Sequence, residues 1–240
     1  MLKITKIAFY AIILTGFFII TIVWLRENDL FVLNRVKVVG NDILTYEEII
    51  DKADLDFSKE IFDIDVETVR NRLLRDELIE SVRITRYRPS AIKIKIKEKD
   101  LIAVSAGSRL KAVTTDGAVI ETDNFKALYD LPMMTGSHFV IDSLGQKVVS
   151  DQMKDMLYIL RGIRYMDYFL YLSISEINYN AESGYIVYLG ERPIPAILGF
   201  RDYLDKIYNL SVFYEHIKSS DEINRINSID VRFAGQIVTK

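Results

Sequence analysis

The chain has 240 residues, half of them hydrophobic, with 31 basic and 34 acidic residues and no cysteine. A hydrophobic fraction this large excludes long disorder, and the missing cysteine excludes disulfides, iron–sulfur clusters and thiolate chemistry. The net charge of −3 offers no basic footprint for nucleic acid, and it argues equally against broad adhesion to anionic lipid.

Ile7 to Leu25 reads IAFYAIILTGFFIITIVWL, nineteen residues without a charge. As a helix it covers about 28 Å, close to the thickness of a bilayer core. Lys3 and Lys6 precede it, and Arg26, Glu27, Asn28 and Asp29 follow. Basic flanks stay inside, which places residues 1–6 in the cytoplasm and residues 26–240 outside. A cleaved signal peptide would have a shorter apolar core and a small-residue cleavage site. Here the run ends in Val23-Trp24-Leu25-Arg26, and Trp24 suits an interfacial anchor. A buried soluble helix is the third reading, and a net basic flank on one side only counts against it. Ile7, Trp24 and Leu25 therefore mark an expected membrane anchor.

Asn34 to Val39 alternates as a short strand, closed by Gly40-Asn41. Thr45-Tyr-Glu-Glu48 is a capping-box pattern ahead of a helix through Ile49, Ile50 and Ala53. Asp65 can cap a second helix, with Val66, Val69 and Leu73 on its buried side. Val82, Ile84 and Arg86 alternate with Arg83, Thr85 and Tyr87; Arg88-Pro89-Ser90 turns the chain; Ile92, Ile94 and Ile96 then alternate with Lys93, Lys95 and Lys97. The result is strand, helix, helix, strand, strand, with the helices on one face. The lysine face reads as a solvated strand face, because no aromatic is interleaved to stack on bases.

The second half is richer in strands. Leu101 to Ala106 is one candidate, and Asp116-Gly117 is a hairpin turn between Lys111–Thr115 and Ala118–Glu121. Leu131 to Gly136 (LPMMTG) reads as a loop. Ser150 can cap a helix with Met153, Met156, Leu157 and Leu160 on one face; core packing is the ordinary reading of the Met pair. Tyr179 to Leu189 gives two strands joined through Ala181-Glu-Ser-Gly184, and Pro193 and Pro195 mark an edge or a turn. A helix with Tyr203, Leu204, Ile207, Leu210 and Tyr214 follows. From Ile229 the odd positions are Ile229, Val231, Phe233, Gly235, Ile237 and Thr239, and the even ones are Asp230, Arg232, Ala234, Gln236, Val238 and Lys240. That alternation predicts one strand running to the last residue. Such a strand often lies at a sheet edge, where unpaired backbone can take a partner strand.

No catalytic constellation emerges. His138 and His216 stand in no metal-ligand spacing, Gly136-Ser-His138 is no nucleophile elbow, capping explains at least one of Asp63 and Asp65, and the lone Glu98 reads as structural. No metal or cofactor is implied. The pattern is that of an interaction protein on a membrane stalk.

The stretch Leu73 to Val104, LLRDELIESVRITRYRPSAIKIKIKEKDLIAV, resembles the signature of the FtsQ/DivIB family of bacterial cell-division proteins. There a POTRA domain ends in V-x-R-x-W-P-x-x-L-x-I-x-V-x-E, followed by P-x-A. Val82, Ile84, Pro89, Ile92, Ile94, Ile96, Glu98 and Ala103 fall on matching positions. Arg88 replaces the usual Trp, Leu101 the usual Pro, and Glu77-Leu78 the proline-tryptophan that closes the second helix. Asp116-Gly117, Leu131-Pro132 with Gly136, and Ile229-Asp-Val-Arg-Phe233 resemble further family motifs in the same order.

The resemblance implies an α+β chain: an N-terminal transmembrane helix (7–25) after a cytoplasmic tail (1–6), then a POTRA (β-α-α-β-β) domain (31–98) and a mostly antiparallel β domain with flanking helices (99–240). It implies a non-enzymatic divisome scaffold at the septum, linking early and late division proteins. Its partners would be the bitopic proteins FtsB/DivIC and FtsL, other divisome proteins through the POTRA domain, and membrane lipid, but no nucleic acid. Carried over by position, the strand that receives FtsB/DivIC is Ile229 to Val238, with Arg232, Phe233, Gly235, Ile237 and Val238 as partner-binding residues. The alternation also allows Phe233 to face the core. Rival readings are a membrane-anchored POTRA module in envelope transport or assembly, an anchored envelope enzyme, and an anchored sensor.

Overall fold

The computed structural model describes residues 2–27, 29–105, 110–122, 124–136, 150–233 and 235–240. His138 lies outside them. The chain divides into two compact units, Met1–Glu98 and Lys99–Lys240.

The first unit opens with helix α1, Leu2–Glu27. Among the described residues no helix is long and apolar enough to cross a membrane. The expected span Ile7–Leu25 runs past the described side chains at both ends, since Ile7 and Leu25 lie outside them. Beyond α1 come β1 (Arg35–Val39), α2 (Tyr46–Ala53), α3 (Val66–Leu73), β2 (Ile79–Tyr87) and β3 (Ala91–Glu98). The three strands form one sheet in the order β1-β3-β2, β3 running parallel to β1 and antiparallel to β2.

Local chemistry sets these boundaries. The Thr45 hydroxyl accepts from the Glu48 amide at 3.2 Å, and Glu48 accepts from the Thr45 amide at 2.7 Å, which closes the capping box of α2. Asp65 accepts from the Glu67 amide at the start of α3; a cap of this kind contributes about 1 kcal/mol. Val36, Val82, Ile92, Ile94 and Ile96 are buried together with Ile49, Ala53, Val69 and Leu73 of the helices. Glu98 ends β3 and accepts from the amides of Asp42, Ile43 and Leu44 at 3.0, 2.8 and 2.8 Å. It pins the β1–α2 connection, a structural role for that carboxylate.

The second unit carries β4 (Leu101–Ser105), β5 (Lys111–Thr114), β6 (Val119–Ile120), β7 (Met133–Thr135), α4 (Asp151–Met166), α5 (Tyr168–Leu172), β8 (Ile174–Asn180), β9 (Gly184–Leu189), β10 (Ile194–Gly199), α6 (Tyr203–Ile217), β11 (Ile229–Asp230) and β12 (Val238–Thr239). Among the described residues the strands form a nine-stranded sheet in the order β12-β11-β10-β9-β8-β7-β4-β5-β6. Most neighbours are antiparallel; β10–β11, β4–β7 and β7–β8 are parallel. Met153, Met156, Leu157, Ile159, Leu160 and Ile163 of α4 are buried against the sheet with Ile207, Leu210 and Tyr214 of α6. Both methionines are therefore core. The Tyr185 phenol donates to Asp155 on α4 at 2.9 Å, and that of Tyr171 to the Ile102 carbonyl at 2.9 Å. Burial pushes the Tyr171 phenol up to about 12.

Three expectations are corrected. Leu131–Gly136 is not all loop: Met133–Thr135 is a strand held between β4 and β8. Pro195 lies not in a turn but inside β10, at a point where the β11 side of the strand is not yet paired. It is tolerated because β10 pairs with β11 only from Ala196 onward. Finally, residues 229–240 are not one strand. The ladder of β11 stops at Asp230, the chain reverses through Gly235 at φ +69°, and β12 pairs back antiparallel onto β11.

Candidate interaction edge

Among the described residues the sheet ends at β12, and this edge is built from the C-terminal hairpin. Ile229 and Asp230 pair in parallel with Ala196 and Ile197, and the Val231 amide donates to the Ile197 carbonyl at 3.1 Å. Ile229 and Val231 are fully buried, which anchors the hairpin in the core. The Gln236 amide donates to the Phe233 carbonyl at 3.2 Å across the reversal. A left-handed φ is accessible to glycine without a Cβ clash, which is why Gly235 stands there.

β12 then returns along β11, with Asp230 opposite Val238 and Ile229 opposite Thr239. Ser228 and Lys240 exchange both backbone bonds at 3.1 Å. Antiparallel pairs alternate between bonded and non-bonded partners. Asp230–Val238 is therefore a bonded pair and Ile229–Thr239 a non-bonded one. The N–H and C=O groups of Thr239 therefore point away from β11, and the same alternation carried one pair further turns those of Ile237 the same way, where an added strand would find them.

Of the five residues expected to meet a partner, Arg232, Phe233, Gly235 and Val238 are exposed and Ile237 is partly buried. Arg232 is exposed, with its guanidinium tied to a neighbour in the same chain. Its Nε donates to Asp230 Oδ1 at 2.9 Å and its Nη2 to Oδ2 at 2.6 Å, while its Cγ and Cδ lie over Gly199. The guanidinium bond, more than any other cause, holds the Asp230 carboxyl below the usual carboxylate range. Ile237 packs on the core. Phe233 is 52% exposed and Val238 39% exposed, and the Cα of Gly235 faces open space. Phe233 thus points outward, away from the buried pair Ile229 and Val231 with which alternation grouped it.

Position-by-position reading missed the outward backbone of Thr239, since nothing in a threonine's identity distinguishes an inward from an outward amide. It also missed the exposed apolar surface of the helical layer. Tyr168, Phe169 and Leu172 of α5 and Tyr208 and Val212 of α6 are each at least half exposed.

Residues 31–99 match the family model described as POTRA domain, FtsQ-type, and residues 116–240 the one described as FtsQ/DivIB, C-terminal related. Cell division protein FtsQ of Geotalea daltonii is 24% identical over 213 residues, covering 88% of this chain and 76% of its own length. FtsQ of Geobacter sp. (strain M21) is 24% identical over 216 residues, covering 89% and 77%. Cell division protein DivIB of Brevibacillus brevis is 31% identical over 105 residues, covering 42% and 39%. With one of these family models alone spanning just over half of the chain, the protein belongs to the FtsQ/DivIB family of cell-division proteins.

Proposed function

We propose that the protein is a non-enzymatic scaffold of the divisome, anchored in the cytoplasmic membrane by residues 7–25 with residues 26–240 outside, and active at the septum. A POTRA domain over 31–98 receives other divisome proteins, and a β domain over 99–240 binds the FtsB/DivIC-like and FtsL-like partners. The observation that carries the reading is the outward backbone of Ile237 and Thr239 at the sheet edge, beside the exposed Phe233. Strand addition there supplies affinity through the backbone and selectivity through Phe233 and Val238. Exposed apolar surface on α5 and α6 supports a binding role rather than a catalytic one.

The anchor is supported by α1 itself. Phe9, Leu14, Phe17, Ile20 and Trp24 are all exposed. The hydroxyls of Thr15 and Thr21 donate to the carbonyls of Ala11 and Phe17 at 2.8 Å, so their polarity is satisfied within the helix, as hydrocarbon requires.

The test joins location to contact. A fluorescent fusion on the amino terminus should form a band at the constriction of dividing cells. Phe233→Ala should reduce recovery of the FtsB/DivIC-like partner while Tm stays unchanged, because the ring is half exposed. An even membrane signal from an intact fusion that supports division, or a Phe233→Ala chain that recovers the partner in full, would refute the reading.

A further inference from the structure

The face of the β1-β3-β2 sheet away from α2 and α3 carries six cationic side chains and no acidic one in register with them. Cross-strand register places Arg35, Lys37, Lys93, Lys95, Lys97 and Arg83 together on it. All but Lys93 are exposed, and Lys93 is partly so. Lys37 stands directly opposite Lys93, and Arg83 directly opposite Lys95. Like charges directly opposite each other destabilise a sheet, so the fold itself gains nothing from this arrangement. Among the described residues Lys97 alone of the six has an ion-pair partner, Glu80 at 2.7 Å.

The segregation is not visible in composition. Between Asp29 and Glu98 the chain has 13 basic and 15 acidic residues, a slightly acidic total that hides a cationic face and an acidic remainder. The face also lacks the features of a protein interface. Protein interfaces are depleted in lysine and are organised around buried apolar anchors, whereas this one has four lysines and an apolar content limited to Val39, Ala91 and Tyr87. Its position relative to α1 adds to the argument. The Ile61 amide donates to the Phe31 carbonyl at 2.9 Å and the Leu33 amide to the Lys59 carbonyl at 3.0 Å, so the chain is already docked at Phe31. Only residues 28–30 separate it from the end of α1 at Glu27. Fully extended, that connection spans about 14 Å.

We infer that this sheet face docks on the anionic phospholipid surface of the bilayer that α1 enters, a second and salt-sensitive membrane contact. The inference rests on the proposed anchoring by α1. Juxtamembrane lysines and arginines are attracted to anionic headgroups within about a Debye length, roughly 8 Å at physiological ionic strength, and the short tether keeps the face near that zone.

The chain has no cysteine, so a single introduced one is a unique label. Thr85→Cys places it on the cationic face, opposite Lys93, and Asn71→Cys places it on exposed α3. The full chain is reconstituted in nanodiscs carrying a headgroup quencher. Quenching at position 85 should rise at least twofold when phosphatidylglycerol replaces part of the phosphatidylcholine. It should return to the neutral-lipid value in 0.5 M salt and in K37E/K93E/K95E, or in the corresponding Lys→Gln variant if the reversal perturbs folding. Position 71 should not respond. Equal quenching at position 85 in both lipids, in a chain that resists carbonate extraction, overturns the inference and gives the face to another ligand such as an acidic protein. Release of the face by inorganic phosphate at matched ionic strength overturns it in favour of a discrete phosphate site. A chain that carbonate extracts refutes the anchor itself, and the docking inference falls with it.

Discussion

Replacing Thr239 with proline tests strand addition at its most specific point. Thr239 is opposite Ile229 in a non-bonded pair, so its amide takes no part in the hairpin, and proline is tolerated on an edge strand whose N–H faces outward. The ring removes one outward donor and occupies space a partner strand needs. The hydrogen bond lost contributes about 1 kcal/mol, and a partner carbonyl left unpaired costs about as much again. Binding should weaken by about 2 kcal/mol, roughly 30-fold in Kd. Calorimetric titration of the detergent-solubilised full chain with the soluble segment of the FtsB/DivIC-like partner reads the change, and Tm should move by less than about 2 °C. Val238→Pro is the control, because it removes an inward amide bonded to Asp230 and should lower Tm and affinity together. If Thr239→Pro bound with unchanged Kd at unchanged stoichiometry, the partner would not pair with this edge.

Two further outcomes concern the scaffold. Glu98→Gln presents an amide NH₂ to a nest of three backbone donors, and the loss of charge-assisted bonds should destabilise the first unit by about 2 kcal/mol, read as a lower denaturant midpoint with unchanged slope. Asp230 has its carboxyl depressed chiefly by the Arg232 hydrogen bond. Stability from a depressed carboxylate is present above its unfolded value, near 3.9, and is lost as pH falls through the lower folded value. The NMR shifts of Val238 and Thr239 should therefore report loosening of the hairpin only in acid below that unfolded value, and Asp230→Asn should abolish the acid-linked change.

Much of the first unit was legible because its signals are local. Thr45 with Glu48 and Asp65 with Glu67 are contacts within a turn, and Ile92, Ile94 and Ile96 announce their face by alternation alone. The segment Leu131–Gly136 defeated the same reasoning. A three-residue strand beginning after Pro132 shows no period, and Met133–Thr135 is a strand only because β4 and β8 flank it with parallel partners some thirty to forty residues away in sequence. Pro195 misled for the complementary reason: it marks where pairing begins, not where the sheet ends.

The C-terminal segment shows what alternation cannot decide. Ile229, Val231, Phe233 and Ile237 share parity, and a single strand would put all four on one face. Gly235 breaks that inference, because a residue in the left-handed region reverses the chain and resets which side each later residue occupies. Ile229 and Val231 go to the core before the reversal, Phe233 is expelled at it, and Ile237 returns to the core after it. The reversal also reshapes the edge. One twelve-residue strand would expose a long row of unpaired groups, a template for indiscriminate pairing. The hairpin leaves a two-residue strand, fixed from behind by Asp230 and Arg232 and flanked by one exposed ring. An edge that short cannot hold a partner by backbone bonds alone. Whatever binds there must also engage Phe233 or Val238, and that requirement makes a short edge selective.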